Sequence, residues 1–410
     1  MQCAAWNFFH AILTCKSKND KKNREPLEFI RSNIIISRYL KHNKMNIADI
    51  AGGTGIYSFS SNEADTDKEV AENASQFAKL NRRVAMDAIS FILEKGEVWL
   101  QYATRLNILN ENKEVLANLR QDVLSNPRIT AYLRDVADYH SILVRNHKDP
   151  DLPIHKLLFL LEIGLDTDVP ELQTAVNKIM ENKDGNGVYQ SLTNIPKHFG
   201  GSGEDSFGWC LCDAPLLLLA LLQAGINYEQ HIKKGVDYLS SFHANIGFPC
   251  TVSKEFGKFR GPGRKDDPCP YASLVMLKLM SAIPEYRESK YAETTAMSLL
   301  SLWENSLERH PYMFYMGTDF RKLKAPTMWY DIVSVVDILS RFDFVKSDTR
   351  FLEMVSMIKS KQDSNGLFTP EAVYQKFKGW DFGQKKTPSP YLTYICYRIL
   401  NQARFNIGSS

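Results

Sequence analysis

No apolar run in this 410-residue chain approaches the roughly 18 residues that a bilayer span requires. The longest, Leu216 to Leu222, is cut short by Gln223 and Gly225, so no transmembrane segment is expected. Charge of one sign is lacking too. Fifty Lys and Arg against 47 Asp and Glu leave a net charge of +3, too small a field to argue for nucleic acid as a partner. Cysteine is sparse: seven residues without framework spacing exclude a disulfide scaffold and fit a reducing cytoplasm. The moderately apolar opening, Met1 to Cys15, has no basic residue ahead of it and no clear cleavage site, so it does not read as a secretion signal. What the chain does have is 44% hydrophobic residues, ample for a large core.

Much of that apolar material is arranged periodically. Pro153, Pro215, Pro270, Pro326 and Pro390 stand 62, 55, 56 and 64 residues apart, and each precedes a run that can only be buried. Those runs are Leu157–Leu161, Leu216–Leu222, Leu274–Met280, Ile332–Leu339 and Leu392–Leu400. Proline suits the first turn of a helix, where its missing N–H has no partner to lose. The prolines therefore predict the starts of buried helices. A second marker repeats in another phase: small glycine turns at Asp184–Tyr189, Asn245–Phe248 and Asp363–Phe368, each ending in an aromatic residue that packs back under the helix just ended. A period near 60 residues indicates paired inner and outer helices. About six such hairpins are expected over residues 84–403, the first near Val98 and lacking the proline. The expected fold is all-α, a closed α/α toroid, preceded by a short α/β remnant.

At this point residues 84–403 resemble the terpenoid cyclase and protein prenyltransferase superfamily. Gln362–Phe368 is similar to the tail of the squalene cyclase repeat, and Asp267 to Tyr271 is similar to the Asp-x-Cys-Tyr of zinc prenyltransferases. The resemblance implies an isoprenoid or similarly apolar substrate with an anionic head. Residues 1–80 contain a separate likeness. Met45–Phe59 resembles motif I of the class I S-adenosylmethionine-dependent methyltransferases, with Asp49, Gly53 and Gly55 at the cofactor turn. The polar stretch that follows lacks the second strand and ribose-binding acid of that family, so this reads as an incomplete segment in which cofactor binding is not expected.

If the inner helices start at one end of the ring, their first turns meet around one pocket. Asp213, Asp267 and Asp331 are then candidate acids, and Trp209, Trp329, Tyr330, Trp380, Asp381 and Tyr391 candidate substrate contacts. Arg260, Arg264, Lys322 and Lys324 precede two of these helices and would hold an anionic head beside converging helix N-termini. Aromatic faces could stabilise a carbocation raised by an acid. The acidic signature of the class II cyclases is absent, however, as is a diphosphate-ionising one. Zinc is possible at Asp267 and Cys269, although the family's third ligand, a late histidine, is missing from Ser389–Tyr397. Cys210, Cys212, Cys250 and Cys269 form an alternative thiolate set. Two rival functions remain open: a catalytically silent toroid serving as a binding or scaffold module, and a sugar-active α/α barrel in which Trp380 and Asp381 meet the sugar.

Overall fold

The computed structural model describes residues 87–257, 259, 261, 267–311 and 313–404. The 1–80 segment, with Asp49, Gly53 and Gly55, lies outside the described residues, as do Arg260 and Arg264. What is described is mostly helical. After a helical stretch over 87–95 come α1 (Val98–Asn107), α2 (Ala117–Leu124), α3 (Pro127–Ala137), α4 (Pro153–Glu162) and α5 (Pro170–Glu181). A two-stranded antiparallel hairpin, β1 (Ser191–Asn194) with β2 (Asp205–Gly208), pairs Ser191 with Gly208 and Asn194 with Asp205. Then follow α6 (Ala214–Gln223), α7 (Lys233–Ser240), α8 (Pro270–Met280), α9 (Pro284–Arg287), α10 (Lys290–Asn305), α11 (Ile332–Leu339), α12 (Thr349–Lys359) and α13 (Pro390–Arg404).

Two kinds of helix alternate, and their sequences explain why. In α8 and α11 every residue is buried, and in α6 burial is continuous from Ala214 to Leu221. A helix apolar on all sides must be surrounded. Each of those leucines contributes roughly 1.5–3 kcal/mol on leaving water. By contrast α10 buries only Ala292, Thr295, Ala296, Leu299, Leu300 and Leu302, a stripe at three- and four-residue spacing with solvent on the other side. The buried helices touch in sequence: α4 meets α6, α6 meets α8, α8 meets α11, and α11 meets α13. Helix α13 in turn meets α1, and α1 reaches α4 through the rings of Trp99 and Phe159, 5.1 Å apart. The striped helices α3, α5, α7, α10 and α12 each pack against one or two of these. No helix among the described residues is long and apolar enough to cross a membrane.

Proline opens α4, α8 and α13 and is the second residue of α6, as the spacing predicts. Pro326 is the exception. The helix after it begins only at Ile332, because Asp331 takes the capping position and its Oδ1 accepts the Ser334 N–H at 2.9 Å. The freed segment from Pro326 to Trp329 becomes part of a cavity wall. The hairpin is a second departure from the sequence reading, a small strand pair within a helical body. The glycine turns do appear. Gly187 and Gly366 have φ of 86° and 85°, the left-handed region open to glycine, and in both turns the aspartate three residues earlier accepts two backbone N–H groups through Oδ1.

Candidate functional site

A narrow cavity of about 60 Å³ lies among the buried helices. Its walls come from α4, α6, α8, α11 and α13, and from the connections around Pro326 and Trp380. Residues of the first turns line it together, among them His155, Leu216, Tyr271, Ser334 and Tyr391. Much of the wall is aromatic. Trp380 packs its ring edge-on to Trp99 at 5.8 Å and lies tilted against Phe382 at 5.4 Å. Tyr391 meets Phe382 at 5.0 Å, and Tyr271 lies over Trp329 at 4.1 Å. Such contacts hold the rings in fixed orientations.

The charges at this wall are compensated. Lys156 is paired with Asp135 and Lys278 with Glu162, each at 2.7 Å. His155 is uncharged, since burial lowers its pKa to about 4. Its Nε2–H donates to the His147 carbonyl at 2.8 Å, which fixes the tautomer. At the other end of the buried helices Asp337 binds Arg341 at 2.6 Å and Arg398 at 2.8 Å. Burial works against the Asp337 charge, but Arg341 and then Arg398 outweigh it and hold the carboxyl well below its usual range.

The structure brings three of the sequence-predicted contacts, Trp329, Trp380 and Tyr391, to the cavity wall. Asp331 does not line the cavity: it is buried at 2% exposure behind the wall, caps α11 through one oxygen and leaves Oδ2 without a hydrogen bond. Burial raises its pKa to about 6. Beside it, the Tyr330 hydroxyl is also unpartnered, and the Tyr330 ring packs on Phe314 and Phe320. Lys324 sits 4.1 Å over the Tyr374 ring and lowers the Asp331 pKa in part, whereas Lys322 pairs with exposed Asp319. Asp381 accepts the Ser389 hydroxyl and the Tyr391 N–H, so it anchors the start of α13. Trp209 is not part of the cavity wall; its Nε1–H donates to Asp184 at 3.1 Å and its ring meets Phe242.

Asp213 lies in a second cluster, with His147 and Cys210. Cys212 and Cys269 are near it, and burial first, then the neighbouring Cys212, Asp213 and Cys269, raise the pKa of the Tyr271 phenol. A hydrogen bond from the Cys212 thiol holds the Cys269 pKa down, while Cys212 is raised by the same contact and by burial. Cys269 also caps α8, its Sγ accepting the Ala272 N–H, and Asp267 lies two residues before it.

Sequence reasoning missed the buried ion pairs. Glu162, Lys278 and Arg398 sit nine, eight and eight residues after the prolines that open their helices. An ionisable group at a matching depth after three of the five prolines was the available signal, since a charge is rarely buried without a partner. Neither a protein-family model nor a curated protein matches this chain.

Proposed function

We propose that the six buried helices close into an α/α toroid whose central cavity takes up an apolar, isoprenoid-like molecule, and that Asp331, which stands in the chain between the wall residues Trp329 and Ser334, serves as the acid once a bound ligand opens the wall to it. The closure is supported by the succession of helix contacts that returns from α13 to α1. The observation that carries the reading is the convergence of rings from α4, α8 and α13 and two connections on a cavity whose lysines already have carboxylate partners. A wall of that kind favours an apolar ligand, and its ring faces would favour a cation formed within it. An acid with a pKa of about 6 retains a proton-bearing fraction near neutral pH and can still return to its charged form. Lys324 is a cation whose charge acts on this acid, and it would meet an anionic head.

Thermal shift of the full chain with squalene, geranylgeranyl diphosphate and a short oligosaccharide tests the reading, with product analysis by mass spectrometry. A ligand at one hundred times its Kd adds about 2.7 kcal/mol to the folded state. A shift with an isoprenoid and conversion lost in Asp331→Asn is the expected result; no shift with either isoprenoid refutes it. The cavity size favours a second reading, a binding module without turnover. About 60 Å³ has room for only a few water molecules, so a long isoprenoid has to open it further. A shift without conversion supports that reading. The sugar reading has less room, because Arg128 lies 4.8 Å over the Trp380 ring and covers a face on which a sugar would stack.

A further inference from the structure

We infer that His147, Cys210 and Asp213 form a binding site for a divalent metal of the zinc class. The Nε2, Sγ and carboxylate oxygen of the three residues all lie within 4.8 Å of one another. Two of these atoms, His147 Nε2 and Asp213 Oδ2, are buried without a hydrogen-bond partner, and Asp213 is only 3% exposed. A buried carboxylate oxygen without a hydrogen bond costs free energy that a bound cation would remove. The two atoms stand 3.5 Å apart, an ion-pair distance for a protonated imidazole, and make no hydrogen bond to each other. Two tetrahedral ligands with bonds of 2.0–2.1 Å would stand at about 3.3 Å, close to what is found.

The surroundings aim these atoms at one point. Asp213 accepts the Cys210 N–H through Oδ1 at 2.9 Å, which turns Oδ2 the other way. The chain after Cys210 is tied down by the Leu211 N–H bond to the Thr251 carbonyl at 2.9 Å. On the opposite side the His147 carbonyl accepts His155 Nε2–H. Supports of this sort are what orient metal ligands. Imidazole, thiolate and carboxylate together suit zinc, and three protein ligands leave a fourth position for water or a substrate atom. The His147 side chain is 21% exposed and offers the way in. The set differs from the Asp267 and Cys269 pair, and it does not depend on closure of the toroid or on the ligand of the central cavity.

Cobalt titration of the chelator-treated full chain tests the site without any variant. The expected result is a near-ultraviolet thiolate-to-cobalt band with intense tetrahedral visible bands, saturating at one equivalent and displaced by zinc. Cys210→Ser should abolish the near-ultraviolet band, and Asp213→Asn should weaken cobalt binding at least about tenfold. Cys396→Ser, in α13, should leave both unchanged, with helicity followed by circular dichroism throughout. Absence of a band in the wild-type protein overturns the inference. So does a band that survives Cys210→Ser but disappears in Cys212→Ser, which would put the metal on the neighbouring thiols.

Discussion

Replacing Asp337 by alanine should cost about 3–5 kcal/mol, the usual range for removing one partner of a buried ion pair. Asp337 is 2% exposed, and its two oxygens are each committed to a different guanidinium, Arg341 on the loop after its own helix and Arg398 on α13. Two charge-assisted hydrogen bonds at about 1.5–3 kcal/mol each give a similar sum. Glu162 already influences both arginines and can take up part of the exposed charge, which argues for the lower half of the range. Because the native carboxyl has a depressed pKa, its stabilisation is present above the unfolded value of 3.8 and is lost as pH falls below it. Denaturant unfolding of wild type and Asp337→Ala at pH 7 reads the difference directly, and at about 2 °C per kcal/mol the melting point should drop by about 6–10 °C. A loss under about 1 kcal/mol would refute the view that this aspartate holds α11 to α13. The double change Asp337→Leu with Arg398→Met should recover much of the loss, since a packed apolar pair needs no counter-charge.

His155 and Asp331 should pull stability in opposite directions on acidification. His155, lowered from 6.5 to about 4, loses stability as pH falls through that window, by up to roughly 3 kcal/mol. Asp331, raised from 3.8 to about 6, gains stability as pH falls from 6 towards 4. In Asp331→Asn the His155 loss is left uncompensated, and in His155→Gln the sign reverses; equal pH slopes for the two variants, by denaturant titration at pH 4.5 and 7, would contradict both assignments. Gly235→Ala should destabilise by about 1–2 kcal/mol in thermal melts despite the gain in helix propensity, because the new Cβ would stand 2.4 Å from the Gly187 carbonyl oxygen. An unchanged melting point would mean that α7 does not pack flush against that turn.

The helical class was legible because burial leaves a direct trace in sequence: an all-round apolar run such as Leu216–Leu222 has no solvent-facing side. First-turn prolines and glycine turns were legible for local backbone reasons. Pro326 misled because proline tolerates both a helix start and an extended connection, and Asp331 supplied the stronger cap. The candidate site was less legible. Trp329 and Tyr391 were found by proximity to helix starts and Trp380 by its aromatic ring, whereas Trp209 and Asp213 also stood beside a helix start and turned elsewhere. His147 gave no signal, since its partners Cys210 and Asp213 are more than 60 residues away in the chain and only the packing of α4 against α6 unites them. Direction of a side chain about its own helix is set by tertiary neighbours, which spacing cannot encode.

The meeting of α13 with α1 has a cost in time. Asn107 donates to the Tyr394 hydroxyl across 287 residues, and Trp99 receives Tyr391 against its edge. At a synthesis rate of about 5–20 residues per second, the indole of Trp99 leaves the ribosome roughly 15–60 s before the surface that shields it has been made. For that interval a nascent chain presents the aromatic surface that α13 later covers, and a chaperone that shelters such surface would have this stretch to act on.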